Sequence, residues 1–324
     1  MYLRVRLRFS SAPLAAKCGD KLPGEIGKVL GGCARRAPCA MGAVGDYVRI
    51  LSLLRILRDV VPGFRPVYRA LRPLYYRVLE WLFPNGIAVR LASGDVVRLH
   101  PRLLGMRPED YERELTNILV TQVEQGATVL DVGAHVGLHT LMFSRRVGAE
   151  GRVFAVEASP ANAGLLRKHL HWNDCRNVRL IEAAIGDRDG DVAFTFRPDP
   201  TDPGGFANSL AYDIGGETAT VRMTTIDTLC ADCRPDLIKI DVEGAELLAL
   251  RGAYQTLTRS APILTIAIHP DAMRALETSP SELLGFLGNC GYEGRHLDGR
   301  RATDPGFEEI VFRKVTRTPA SSAT

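Results

Sequence analysis

The stretch Val129 to Glu157, VLDVGAHVGLHTLMFSRRVGAEGRVFAVE, decides the fold. Val129 and Leu130 close a short apolar run that ends at Asp131. Gly133 and Gly137 bracket a tight turn, and Leu138, Leu141, Met142 and Val147 then recur at helical spacing. A second run, Arg152 to Val156, ends at Glu157, about 20 residues past Gly137. The order is therefore strand, glycine turn, helix, strand, with an acid at the end of the second strand. A glycine turn entering a helix aims several N–H groups at one small space and lets a ligand approach the backbone. A carboxylate at the position of Glu157 can accept both hydroxyls of a ribose. An adenosine cofactor is the implied ligand, and the competing reading is the glycine turn of an ordinary α/β domain.

The glycine spacing narrows the cofactor. The nicotinamide and flavin fingerprint G-x-G-x-x-G needs a glycine two residues after Gly133, where this chain has His135. Asp131, Gly133, Ala134 and Gly137 instead form D-x-G-A-x-x-G, which lacks the glycine that lets a pyrophosphate lie on the turn. A phosphate-free ligand with an amino acid end and a ribose fits better, which describes S-adenosylmethionine. A second stretch, Pro235 to Glu246 (PDLIKIDVEGAE), is a buried strand ending in Asp241, followed by Glu243, Gly244 and Glu246 at a helix start.

With these residues in place, the sequence resembles the FkbM-type family of class I S-adenosylmethionine-dependent methyltransferases. The matching segments are VLDVGAHVG (Val129 to Gly137), FAVEASP (Phe154 to Pro160), AAIGDRDG (Ala183 to Gly190), TTIDTL (Thr224 to Leu229), LIKIDVEGAE (Leu237 to Glu246) and the pair His269-Pro270. They run in the family's order over about residues 110 to 270. The resemblance implies a doubly wound, mostly parallel sheet of seven strands with the last one antiparallel. It also implies adenine contacts around Ala183 to Asp187, including Ala184, and makes Tyr111, Glu112 and Glu114 site candidates, although a solvated helix face explains those charges equally well. The family usually carries a glutamate two residues before the histidine of the last pair. Here that position is Ala267.

Composition bounds the alternatives. A chain of 324 residues, 46% hydrophobic and 24% charged, is long enough for one large α/β domain with an extension. A net charge of +4 is too small to argue for nucleic acid. No apolar run is long enough to cross a membrane. Seven scattered cysteines suggest a reduced, cytoplasmic protein, and the pair Cys230 and Cys233 has no second pair at zinc-site spacing.

Four segments follow. Residues 1–45, basic and without periodicity, are expected to be a disordered arm, a targeting peptide or an over-extended start ahead of Met41. Residues 46–84 form a basic amphipathic helical extension that either packs on the domain or a second subunit, or lies on an anionic membrane surface. Residues 85–316 are the methyltransferase domain, and 317–324 a disordered tail. Within the domain, IAVRLASGDVVRL (87 to 99) reads as a hairpin and Pro108 to Gln125 as a helix. Ser159 and Pro160 begin another helix. The loop RPDPTDPGGFANSLAYDIGGE reads as a substrate lid, with Asn208 and Ser209 its ligand-facing groups.

In open α/β sheets ligands bind beyond the carboxyl ends of the strands. Asp131, Glu157, Asp241 and His269 each end a predicted strand, so one crevice can hold all four. A hydroxyl acceptor of a methyl group must lose a proton, which calls for a nearby base. Asp241, His269 and Glu243 are the candidates, and a strand-end histidine bonded to backbone is the bland reading of His269. No metal centre is expected, although Asp241 and Glu243 can together hold a divalent cation. Lys239 lies in a buried strand pattern and is expected to reach a carboxylate or the sheet edge. The expected activity is O-methylation of a small molecule or sugar. The alternatives are a nicotinamide-dependent oxidoreductase and a non-catalytic, adenosine-binding protein peripheral to the membrane. Sequence does not fix the oligomeric state.

Overall fold

The computed structural model describes residues 74–199 and 216–315. Helical residues 74–82 bury Tyr76 and Leu79, and Glu80 accepts from Arg102 Nε at 2.7 Å. This end of the basic extension thus packs on the domain through one face, while Leu74, Val78 and Trp81 on the other are exposed. The predicted hairpin follows as β1 (Ile87–Arg90) and β2 (Val96–Leu99), turning at Gly94.

The expected helix from Pro108 begins five residues later, as α1 (Arg113–Gln122). Glu112 takes the left-handed conformation, φ 41°, which breaks the helical path and leaves residues 108–112 as a turn. The deciding stretch folds as β3 (Thr128–Val132), α2 (Leu138–Val147) and β4 (Arg152–Val156). Then come α3 (Pro160–Trp172), whose first turn Ser159 caps through Asn162 N, and β5 (Val178–Ile181). The chain then leaves the main sheet. Ala184–Ile185 (β6), Gly190–Phe196 (β7) and Glu217–Thr224 (β8) make a separate three-stranded sheet in the order β6-β8-β7.

A short helix, α4 (Ile226–Leu229), leads to β9 (Leu237–Ile240). After α5 (Glu246–Arg251) and α6 (Tyr254–Ser260) come β10 (Ile263–Ile268) and α7 (Pro270–Ala275). The chain ends in α8 (Pro280–Asn289), β11 (Tyr292–His296) and β12 (Glu308–Lys314). The main sheet has seven strands in the order β11-β12-β10-β9-β3-β4-β5, and β12 alone pairs antiparallel with its neighbours. The sequence pattern predicts β12 but not β11. From β3 the chain builds outward through β4 to β5, then returns to β9 on the other side of β3. The switch point where open α/β sheets bind ligands therefore lies between β3 and β9.

Period-two alternation divides the sheet's two faces. Leu130, Val132, Ile238, Ile240, Leu264 and Ile266 enter one core cluster with α5, α6 and α8. Val129 and Leu237 enter the other with Leu119 of α1 and Leu141 and Phe143 of α2. On this second face the register sets Asp131 of β3 beside Lys239 of β9. Lys239 is 4% exposed, and its Nζ meets Asp241 Oδ2 at 3.1 Å. It reaches a carboxylate rather than the sheet edge. Among the described residues no helix is long and apolar enough to cross a membrane, and Cys175, Cys230, Cys233 and Cys290 are free thiols.

Replacing Lys239 by Met would strip Asp131, Asp241 and Glu112 of their buried cation. A destabilisation of about 3–5 kcal/mol in urea unfolding is expected, and an unchanged midpoint would mean the ammonium carries no net stabilisation.

Candidate active site

The site begins where β3 ends. Gly133 adopts φ +81°, and a Cβ there would lie 1.8 Å from the carbonyl oxygen of Asp241 at the end of β9. Glycine is what lets the two strand ends meet at the switch point. Gly133 N and Ala134 N both donate to Val156 O, at 3.0 and 2.9 Å, and His135 N donates to Glu157 Oε2 at 2.7 Å. These N–H groups of the turn are therefore committed within the protein. That differs from the sequence expectation of a turn whose amides face the ligand. The turn's contribution is to bring backbone close and to hold Glu157.

Glu157 lies at the end of β4, lines the crevice and is 6% exposed. Its Oε1 accepts from Ser159 N at 2.9 Å and from Asn162 Nδ2 at 3.2 Å. Burial raises its pKa to about 7 in spite of these bonds. Val156, Ala158, Ala184, Ile185 and Phe194 make an apolar slot beside it. The whole crevice encloses about 410 Å3.

The opposite end is charged. The left-handed turn at Glu112 brings Tyr111 and Glu112 into the wall, facing Asp241 and Glu243 from the end of β9. His269 caps β10 and projects between them. Its Nδ1 lies 2.8 Å from Glu246 Oε1, and its Nε2 lies 3.5 Å from Glu243 Oε2 and 3.9 Å from Asp241 Oδ1. Glu246 is fully buried and also accepts from Gly244 N at 2.9 Å. Burial alone would lower the His269 pKa, but the Glu246 hydrogen bond and the charges of Glu243, Glu246 and Asp241 raise it to about 9. At neutral pH His269 is therefore an imidazolium set among carboxylates. Burial raises Glu243 to about 7, which the attraction of His269 only partly offsets. Asp241 is lowered, because Lys239 and His269 outweigh its burial. Burial likewise raises Glu112, whose Oε2 has no hydrogen-bond partner.

One ligand atom from each of Asp241, Glu243 and His269 lies within 4.8 Å of the others. Among the described residues this trio can hold a divalent cation. The imidazolium satisfies the same two carboxylates without one.

Of the residues singled out from sequence, Tyr111, Glu112, Gly133, Glu157, Ala184, Asp241, Glu243 and His269 line this one crevice. Asp131 does not. It is 1% exposed behind the turn, with Oδ2 bound to Thr140 Oγ1 at 2.5 Å. Ala134 is buried against Ala155 and Leu166, and Gly137 starts α2 at φ +91°. Asp187 sits on the surface beside Arg188, 3.1 Å away. Glu114 lies outside the crevice lining, and Asn208 and Ser209 lie outside the described residues. Sequence reasoning missed His135, Phe194, Phe307 and Glu309, all of which line the crevice.

The profile of the methyltransferase FkbM domain matches residues 131–293, half of the chain. The chain belongs to the FkbM methyltransferase family. Hexuronic acid methyltransferase AglP of Haloferax volcanii is 25% identical over 166 residues, covering 49% of this chain and 62% of the relative. 2-O-methyltransferase NoeI of Sinorhizobium fredii is 25% identical over 201 residues, 54% of this chain and 79% of the relative. Methyltransferase 1 of Beauveria bassiana is 26% identical over 151 residues, 38% of this chain and 57% of the relative. The chain thus spans less than two thirds of the length of two of these three relatives. The crystal structure of an FkbM methyltransferase from Methylobacillus flagellatus covers 83% of this chain and 60% of its own, at 19% identity and a TM-score of 0.41.

The Gly133 contact gives a direct test. Gly133→Ala forces a positive-φ alanine against the Asp241 carbonyl, so a lowered melting temperature is expected together with loss of any ligand binding in the crevice. A variant as stable as the parent would show that the strand ends separate freely.

Proposed function

We propose that this FkbM-family protein is an S-adenosylmethionine-dependent methyltransferase that methylates a hydroxyl on a small molecule or sugar. The observation that carries the reading is the crevice itself. It sits at the switch point between β3 and β9 and joins an apolar slot beside Glu157 to an end lined by Glu112, Asp241, Glu243 and Glu309. A cationic sulfonium suits walls of that charge, whereas a pyrophosphate would face several carboxylates and find the turn amides already bonded.

The residues fit the cofactor as follows. Glu157 accepts the ribose hydroxyls, and Ala158, Ala184, Ile185 and Phe194 take the adenine. Glu112 Oε2, which has no hydrogen bond and lies 3.7 Å from His139 Nδ1, suits the ammonium of the methionyl end. Bound there, the cofactor supplies a methyl group on a positively charged sulfur. The chain's own task is to align the acceptor and take its proton, and alignment alone can be worth ~7–11 kcal/mol. Glu243, with its pKa near 7, is better matched to proton removal at neutral pH than an imidazolium raised to about 9. His269 then holds Glu243 and Asp241 in place. The AglP and NoeI likenesses support a sugar hydroxyl as the acceptor.

Titration calorimetry with S-adenosylhomocysteine and NAD in parallel tests the cofactor. Binding of S-adenosylhomocysteine alone is expected, and it should disappear in Glu157→Ala. Binding of NAD, or undiminished binding by that variant, would remove the assignment.

The pH dependence tests the proton route. A carboxylate base must be ionised, so kcat/KM should rise as pH increases through about 7. It should fall again above about 9 as His269 loses its proton. Glu243→Gln should lower kcat ~10²- to 10⁴-fold and weaken the acid limb, leaving only the contributions of Glu157 and Glu309, which titrate in the same range. An unchanged acid limb in that variant would exclude Glu243 as the base.

The protein is expected in the cytoplasm. The exposed row Leu74, Val78 and Trp81 on helical residues 74–82 favours peripheral contact with an anionic membrane. Co-sedimentation with anionic but not neutral vesicles is expected, weakened by Trp81→Ser, and absence from both pellets would dismiss it.

A further inference from the structure

A second depression, about 380 Å3, adjoins the crevice. The two share the residues Ala267, Phe307 and Glu309. β12 runs antiparallel to β10 with Glu309 directly opposite Ala267 and Glu308 opposite Ile268. Opposed residues of an antiparallel pair project to the same side, with Cβ atoms ~4.5–5.5 Å apart. The methyl of Ala267 therefore leaves open the space beside the Glu309 side chain. Of the acids that share this depression, Glu114 comes from the first turn of α1 rather than from the β10-β12 pair, and two others are engaged elsewhere. Glu308 Oε2 lies 2.7 Å from His296 Nδ1, and Asp298 Oδ2 accepts from Arg300 Nε at 2.7 Å. Glu309, by contrast, has no hydrogen bond or ion pair among the described residues. Burial, with Glu112 and Asp241 nearby, raises its pKa to about 7. Phe307 stands at the shared rim 79% exposed, its ring centroid 5.1 Å from that of His269.

We propose that the second depression is the acceptor subsite, and that Glu309 binds an acceptor hydroxyl across Ala267 while the face of Phe307 carries the C–H side of an uncharged sugar ring. Glu309 thus stands, from the adjacent strand, where FkbM sequences usually place a glutamate on β10. This rests on the methyltransferase reading above and adds the acceptor's character. A polyhydroxyl ring can donate to Glu309 and lie against an aromatic face, whereas a uronate would bring a carboxylate beside Glu309 and Glu114 in a depression whose Arg300 and His296 already pair with Asp298 and Glu308. The reacting hydroxyl enters the crevice beside Glu243, and the rest of the ring stays in the outer depression.

The test uses the full chain with saturating S-adenosylhomocysteine, and reads binding of methyl β-glucopyranoside and methyl β-glucuronide by saturation-transfer NMR. The parent should bind the neutral glycoside and discriminate against the glucuronide. Glu309→Ala should weaken the glycoside on the order of 10-fold or more, the scale of a lost hydrogen bond to a charged group, in protein that is still folded and still saturated with S-adenosylhomocysteine. Combining Ala267→Glu with Glu309→Ala moves the carboxylate across the strand pair and should restore binding, which a structural role for Glu309 would not allow. Equal binding of the glucuronide would overturn the proposal, as would undiminished binding by Glu309→Ala or no restoration in the combined variant. Binding of S-adenosylhomocysteine without either glycoside would overturn it alone. Failure to bind S-adenosylhomocysteine would overturn the methyltransferase reading as well.

Discussion

A single buried ammonium conditions the geometry around it. Lys239 stands in the third position of β9, in a strand whose other residues are aliphatic and buried. An unpaired ammonium there would face a desolvation penalty of several kcal/mol. Burial would lower its pKa, but Asp241, Asp131 and Glu112 more than reverse that and keep it charged. Each partner comes from a different element. Asp131 is its register neighbour on β3, Asp241 follows β9, and Glu112 arrives from the break before α1. The ammonium bonds Asp241 directly and is kept charged by the nearby Asp131 and Glu112, so three acids from separate elements surround one cation. Two of them, Glu112 and Asp241, form part of the crevice wall. Asp131 serves the site without touching it: its charge helps keep Lys239 protonated, while its Oδ2 accepts from Thr140 of α2.

Much of this was legible in the sequence because it depends on local pattern. The runs ending at Asp131, Glu157, Asp241 and His269 are continuous apolar stretches, as strands covered on both faces must be, and a parallel sheet necessarily gathers such strand ends at one edge. Ser159-Pro160 marks a helix start by capping chemistry alone. What the pattern left open or missed depends on non-local geometry. Glu112 is a site candidate by resemblance that a solvated helix face explains equally well, and only the left-handed turn puts it in the wall. Glu309 looks like an edge-strand charge, and it acquires a role only through its pairing with Ala267. His135 shows the same limit. It stands where a dinucleotide fingerprint has glycine, and it still adopts φ 52°, with its amide bound to Glu157.

That last substitution bears on cofactor choice. A glycine turn that binds pyrophosphate leaves amides free and keeps side chains away. This turn sends two amides to Val156 and a third to Glu157, and it puts an imidazole in the wall. The backbone path of a nucleotide-binding turn is retained, while its anion-binding capacity is used to orient a carboxylate. Exchanging amide donors for an acceptor group favours a ligand that presents hydroxyls and a positive centre.

The same logic extends to proton transfer. His269 is the residue type most often assigned as a base, but its two nitrogens face Glu246 on one side and Glu243 with Asp241 on the other. An imidazole bordered by three carboxylates gains more from holding a proton than from taking one during turnover. Its cation in turn decides which carboxylates stay ionised. Asp241, hydrogen-bonded to Lys239 and near His269, falls below its ordinary pKa, while for Glu243 the attraction of His269 and the weaker pull of Lys239 do not offset burial. Two acids two residues apart in sequence are driven in opposite directions by how closely each meets the same two cations: Asp241 bonds Lys239 directly, whereas Glu243 does not. The proposed division between a permanent charge and a proton-exchanging group therefore rests on the placement of Lys239 and His269 rather than on the acids themselves.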